Sequence, residues 1–86
     1  MNRVIAVFLN RSQSQFFSKI LFKMQIPNQV VSTPRELGTS CGLCVRFDEK
    51  YIQYVKSAFN QGSFSSFKNF YREVPLSNFK NNYIKI

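Results

Sequence analysis

Cys41 and Cys44 are the residues of this chain whose type and setting could do chemistry. Cys41 ends a run of small and turn-forming residues, Gly38-Thr39-Ser40, and Gly42 follows it. Gly42 tolerates unusual dihedrals, which lets backbone N–H groups approach the sulfur. Arg35 and Arg46 are close enough in sequence to raise the local potential. Each feature favours thiolate over thiol, and thiolate is the reactive species. Ser32–Phe47 thus reads as a segment presenting a nucleophilic sulfur, able to accept a sulfur atom.

The two cysteines also form a C-x-x-C pair, which fits a dithiol redox couple, half of a metal site, or chance. A thioredoxin-type pair would open a helix after a strand, whereas here the second cysteine falls inside a predicted strand. Strand alternation puts Cys44 on the face opposite Leu43 and Val45, where a small, half-buried apolar residue is the plainer reading. Composition narrows the rest. The 86 residues include no His, so a Ser-His-Asp triad or a Cys-His pair within one chain is excluded. Two cysteines cannot close a zinc site, which takes about four ligands, without a second subunit. The acids are Glu36, Asp48, Glu49 and Glu73, and two of these are adjacent, which argues against paired-carboxylate hydrolysis. No motif calls for a cofactor or a resident metal.

The elements that must position this segment follow from hydrophobic periodicity. Arg3–Asn10 carries an unbroken apolar run, Val4 to Leu9, that predicts a strand buried on both faces. Ser12 with Gln15 reads as a capping box, and Phe16, Ile20, Leu21 and Met24 then recur at helical spacing until Pro27-Asn28. Gln29–Thr33 is a second strand, residues 34–42 a loop, and Leu43–Phe47 a third strand with one core face. Asp48 is a natural N-cap for a second helix with Ile52, Val55 and Phe59 inward, stopped at Gly62. Lys68–Val74 is the fourth strand. The order strand-helix-strand-strand-helix-strand predicts an α+β, ferredoxin-like split βαβ domain over residues 1–74. Its four-stranded antiparallel sheet would carry both helices on one face. Residues 75–86 form a tail containing Phe79, Tyr83 and Ile84. The first strand is apolar on both faces while the helices cover one, so the tail or a second subunit, as in a homodimer, is expected on the other.

With the elements in place, Thr33-Pro34-Arg35-Glu36, Ser40-Cys41-Gly42-Leu43 and Val45-Arg46-Phe47 resemble the signature of a small bacterial family of selenium/sulfur carrier domains. Asn10-Arg11-Ser12 and Ile26-Pro27 are similar to the family pattern as well, and the resemblance runs from about Val4 to Val74. It implies that Cys41 is the family's cysteine, with Pro34, Arg35, Glu36, Ser40 and Gly42 as its matching surroundings. Cys44 falls where the family more often has a small residue, so a two-thiol mechanism is not implied. Such domains occur alone or behind sulfurtransferase-like domains, which implies protein partners. Cys41 would take sulfane sulfur, or selenium, from a cysteine desulfurase-like donor and pass it to an acceptor. Arg35 and Arg46 would steady the anionic persulfide and the Gly42 amide would donate to it; apart from the resemblance, Cys44 could release the cargo as a resolving thiol by attacking Cys41. This is the behaviour of a carrier more than of an enzyme with its own turnover.

Two other classes fit the strand order. An RNA-recognition module would need stacking aromatics on its first and third strands, but Gly42–Phe47 has Gly and Cys where the rings would be wanted and Val4–Leu9 lacks an aromatic at its second position. The net charge of +8 comes from 12 Lys and Arg spread along the chain without a basic block, which reads as a solvated surface and argues against nucleic acid. An interaction or regulatory domain with incidental cysteines is the other alternative. No run reaches the roughly 18–20 apolar residues of a membrane span, and Val4–Leu9 is too short for a signal-peptide core. A cytoplasmic protein with reduced thiols is therefore expected.

Overall fold

The computed structural model describes residues 2–37, 42–76 and 81–86. Its centre is strand β1 (Arg3–Phe8), whose residues Val4 to Phe8 are almost fully buried on both faces. β1 pairs antiparallel with β3 (Leu43–Asp48) on one side and β4 (Phe67–Pro75) on the other. β2 (Asn28–Ser32) pairs antiparallel with β3, and β5 (Asn81–Lys85) with β4, giving the order β2-β3-β1-β4-β5. The sheet thus has five strands where the sequence predicts four. Backbone groups of the tail continue the ladder along the free edge of β4, from Pro75 opposite Asn81 to Tyr71 opposite Lys85. Pairing of this kind needs main-chain donors and acceptors and little side-chain pattern, so periodicity does not announce it.

Helix α1 (Arg11–Lys23) begins earlier than the Ser12–Gln15 box predicts. Asn10 is the cap, its side-chain oxygen accepting from the N–H groups of Ser12 at 2.8 Å and Gln13 at 3.3 Å. Gln13 instead reaches out of the helix and accepts from the Ser66 N–H at 3.0 Å, fixing the approach to β4. The inward face is Ser14, Phe17, Ser18, Ile20 and Leu21. Phe16, expected in the core stripe, is 48% exposed and lies against Phe64, while Phe17 takes the buried position. The small serines let the helix approach the sheet closely, and Ser14 Oγ donates to the Leu43 carbonyl at 3.0 Å.

The end of α1 is a Schellman turn. Ile26 N–H donates to the Leu21 carbonyl at 2.9 Å and Gln25 N–H to that of Phe22 at 3.0 Å. Buried Ile26 supplies the apolar contact, and Pro27 prevents continuation. The turn requires a left-handed residue, and Gln25 takes that role at φ 62° in place of the usual glycine.

Asp48 caps the second helical stretch, its carboxylate accepting from Lys50 N–H at 3.0 Å. Only Ile52–Ser57 (α2) is α-helical, with tighter 3₁₀ turns over Glu49–Tyr51 and Ala58–Gln61. Ile52, Val55 and Ala58 recur every three residues, the period of that tighter winding, and all three pack on the sheet. Both helices share one core with Val4, Ala6, Phe8, Val45, Phe47 and Phe70. Phe8, Phe17, Phe59, Phe64, Phe67 and Phe70 form its aromatic centre, with ring centroids as close as 4.6 Å. Burial of each such ring is worth about 1.5–3 kcal/mol. At the rim, Arg72 grips the Glu49 carboxylate with two hydrogen bonds, which holds that carboxyl below its ordinary range.

Because Gln25 bears the cost of a left-handed backbone, about 1–2 kcal/mol for a side-chain-bearing residue, Gln25→Gly should be stabilising. The greater freedom of unfolded glycine offsets part of that gain. Urea unfolding should show a net increase of about 0.5–1 kcal/mol; a decrease would mean that the Gln25 side chain stabilises the turn.

Candidate functional site

The β2–β3 ladder continues one step past the strands, where Thr33 N–H donates to the Gly42 carbonyl at 3.0 Å. That bond closes the base of the connection carrying the predicted thiol site. Leaving β2, Pro34 leads into a 3₁₀ turn over Arg35–Leu37, in which Leu37 N–H donates back to the Pro34 carbonyl at 3.2 Å. Arg35 and Glu36 are exposed on this turn. Leu37 packs against Ile5, Val7 and Cys44, so the connection is anchored over the face of the sheet that the helices leave open. Ser40 and Cys41 lie outside the described residues, as does Phe79 of the tail.

Gly42 is exposed, and its backbone stays out of the left-handed region. A Cβ built there meets nothing within 4 Å. The expectation that Gly42 is needed for an unusual dihedral is therefore corrected: its φ is one that any residue adopts.

Cys44 is fully buried. It stands opposite Val7 on β1 and Val31 on β2, with Sγ 3.9 Å from the Ser32 carbonyl oxygen. Alternation does place it on the face away from Val45, but that face is not open, because Leu37, Tyr71 and Tyr83 close over it. The expectation of a single core face for β3 is corrected accordingly.

Arg46 projects to the same face two residues further along β3. Its Nη2 lies 3.2 Å from Glu73 Oε2, and its Nε is buried without a hydrogen-bond partner among the described residues. Glu73 is itself buried, and Tyr83 Oη donates to the same carboxylate oxygen at 3.4 Å. Burial raises the Tyr83 phenol above its ordinary pKa, outweighing the opposing hydrogen bond from the Asn81 side chain. Arg46 lies four residue steps along the chain from Gly42, about 13 Å of extended strand. Arg35 and Arg46 therefore occupy different settings: one exposed beside the connection, one committed to Glu73. Glu73 and Tyr83 are absent from the sequence-based site. The available signal is that Glu73 falls between Arg72 and Val74, on the β4 face opposite Phe70. Its partner lies 27 residues away.

Comparison with known proteins adds one identification. The chain belongs to the family described as "Putative Se/S carrier protein-like", whose model matches residues 3–71. The matched region takes in β1 through most of β4, with both helices and both cysteines, while Glu73 and β5 lie beyond it. The chain matches no curated protein and no solved structure. Among the described residues, no helix is long and apolar enough to cross a membrane.

Glu73 holds Arg46 in a partly buried site, so removing its charge leaves a guanidinium without compensation. Glu73→Gln should lower stability by about 1–3 kcal/mol in urea unfolding. An unchanged midpoint would show that solvent already carries the Arg46 charge.

Proposed function

We propose that this chain is a sulfur or selenium carrier of ferredoxin-like fold that bears its cargo on Cys41 and serves protein partners in the cytoplasm. Family membership supports the carrier role. The fold assignment rests on the order β2-β3-β1-β4, with each helix crossing between parallel strands on one face and β5 as an addition at the β4 edge. The observation that carries the choice of thiol is the full burial of Cys44, which favours the other cysteine of the C-x-x-C pair.

In the loading step, the Cys41 thiolate attacks the terminal sulfur of a persulfide on a cysteine desulfurase-like donor. A bond forms between that sulfur and Cys41 Sγ, the donor's S–S bond breaks, and the donor cysteine leaves as thiolate. No net oxidation occurs, because the sulfane sulfur only changes its carrier. Arg35, exposed on the turn before the thiol, provides positive charge for the anionic persulfide, and Ser40 and the Gly42 amide provide donors. Glu36 beside it sets which partner surfaces are tolerated. Arg46, about 13 Å along the strand from Gly42, acts through its field and not by contact. An acceptor protein then removes the sulfur by the same exchange. Resolution by Cys44 would instead yield a Cys41–Cys44 disulfide and hydrosulfide, and burial of Cys44 makes it the slower route.

Incubation with a cysteine desulfurase and L-cysteine, followed by intact-mass spectrometry, tests the proposal. The expected product carries one extra sulfur atom on Cys41; Cys41→Ser abolishes it and Cys44→Ser retains it. No adduct with several desulfurases, or an adduct that survives Cys41→Ser, would contradict it.

A further inference from the structure

We propose that two copies of this chain pair through their β2 edges, antiparallel about a two-fold axis at Val30, to form one continuous sheet. β2 is the outermost strand on its side and, among the described residues, is paired with β3 alone. Which of its backbone groups are free follows from the register. Thr33 N–H donates to the Gly42 carbonyl directly opposite, which makes these two a hydrogen-bonded pair. Antiparallel ladders alternate bonded and non-bonded pairs. Val31–Cys44 and Gln29–Arg46 are therefore bonded pairs, whereas Ser32–Leu43, Val30–Val45 and Asn28–Phe47 are not. The N–H groups of Asn28, Val30 and Ser32 consequently point away from β3, spaced evenly about the middle residue of the strand.

That spacing is self-complementary. Against a second, antiparallel copy, Val30 meets Val30 and Asn28 of each copy meets Ser32 of the other, so each outward N–H stands opposite a carbonyl. A two-fold contact of this kind uses the same patch on both copies.

The side chains favour a second copy as the occupant. With a net charge of +8, two copies repel over most of their surface, yet residues 24–34 carry no charged side chain. Asn28–Ser32 also contains no proline and no inward charge, the devices that usually blunt an exposed edge, whereas the opposite edge strand, β5, carries Lys85. Apolar surface borders the same edge. Val30 shares the helix-side face with Val45, its neighbour across the ladder, and is 38% exposed. Phe22 is 58% exposed and lies one helical turn after Ser18, whose hydroxyl donates to the Asn28 side chain. Residues four apart share a helix face, so Phe22 lies on the flank of α1 that faces β2. Pairing joins the two Val30 side chains and brings the Phe22 rings toward the seam. The paired residues end at Ser32, before the β2–β3 connection, so this proposal stands or falls independently of the thiol chemistry.

Sedimentation velocity of the whole chain over a dilution series, with amide hydrogen exchange by NMR at the same concentrations, tests the pairing. The expected result is a monomer–dimer equilibrium. The Asn28, Val30 and Ser32 amides should be protected where the dimer forms and exchange freely on dilution. Val30→Lys sets two like charges opposite one another at the axis and should raise the dissociation constant about tenfold. The exchange measurement uses the unaltered chain and does not depend on how that variant folds. A monomer at every concentration would overturn the proposal. So would a dimer whose Asn28, Val30 and Ser32 amides still exchange freely, or one undiminished in Val30→Lys.

Discussion

The burial of β1 on both faces is the constraint on which the rest of the structure depends. Five consecutive apolar residues, Val4 to Phe8, point alternately to the two sides of the sheet, and neither set can be left in water. Val4, Ala6 and Phe8 are met by α1 and α2, forming the larger core with its linked phenylalanine rings. Ile5 and Val7 require a cover of their own, because α1 and α2 both lie on the other face. Leu37, Tyr71 and Tyr83 supply it from three different parts of the chain.

That second layer joins the fold to the site. Leu37 packs on Ile5, Val7 and Cys44, so the smaller core takes in the 3₁₀ turn that leaves β2. The Thr33–Gly42 hydrogen bond holds the base of the connection, and Leu37 holds its first half. The same cover seals Cys44, and on the proposed reading the two cysteines of the C-x-x-C pair then have different roles. On the other side of Cys44 the face turns polar, where Arg46, Glu73 and Tyr83 tie β3, β4 and β5 together.

Much of this was legible in the residues. An unbroken apolar run marks a central strand, and Asp48 before an Ile52–Val55 repeat marks a helix start. What escaped depends on contacts between distant segments. Cys44 alternates as an outward residue, and among the described residues Val31, Leu37, Tyr71 and Tyr83, from separate parts of the chain, pack on its cluster. Asn81–Lys85 offers just Tyr83 and Ile84 as apolar residues, so its strand arises from main-chain pairing with β4. The adjacent Phe16 and Phe17 both fit a helical stripe, and it is Phe17 that shares the buried face with Ser14, Ile20 and Leu21. At the site, Arg35 and Arg46 look alike in sequence, yet Glu73 claims one and leaves the other exposed.

The central claim is a division of labour, with one sealed cysteine that helps close the open face and one that meets partner proteins. Alkylation by iodoacetamide in the native state, resolved by peptide mass spectrometry, addresses it most directly. The account predicts rapid modification of Cys41 and protection of Cys44 until denaturant unfolds the sheet. Equal rates at both cysteines, or faster reaction at Cys44, would contradict it.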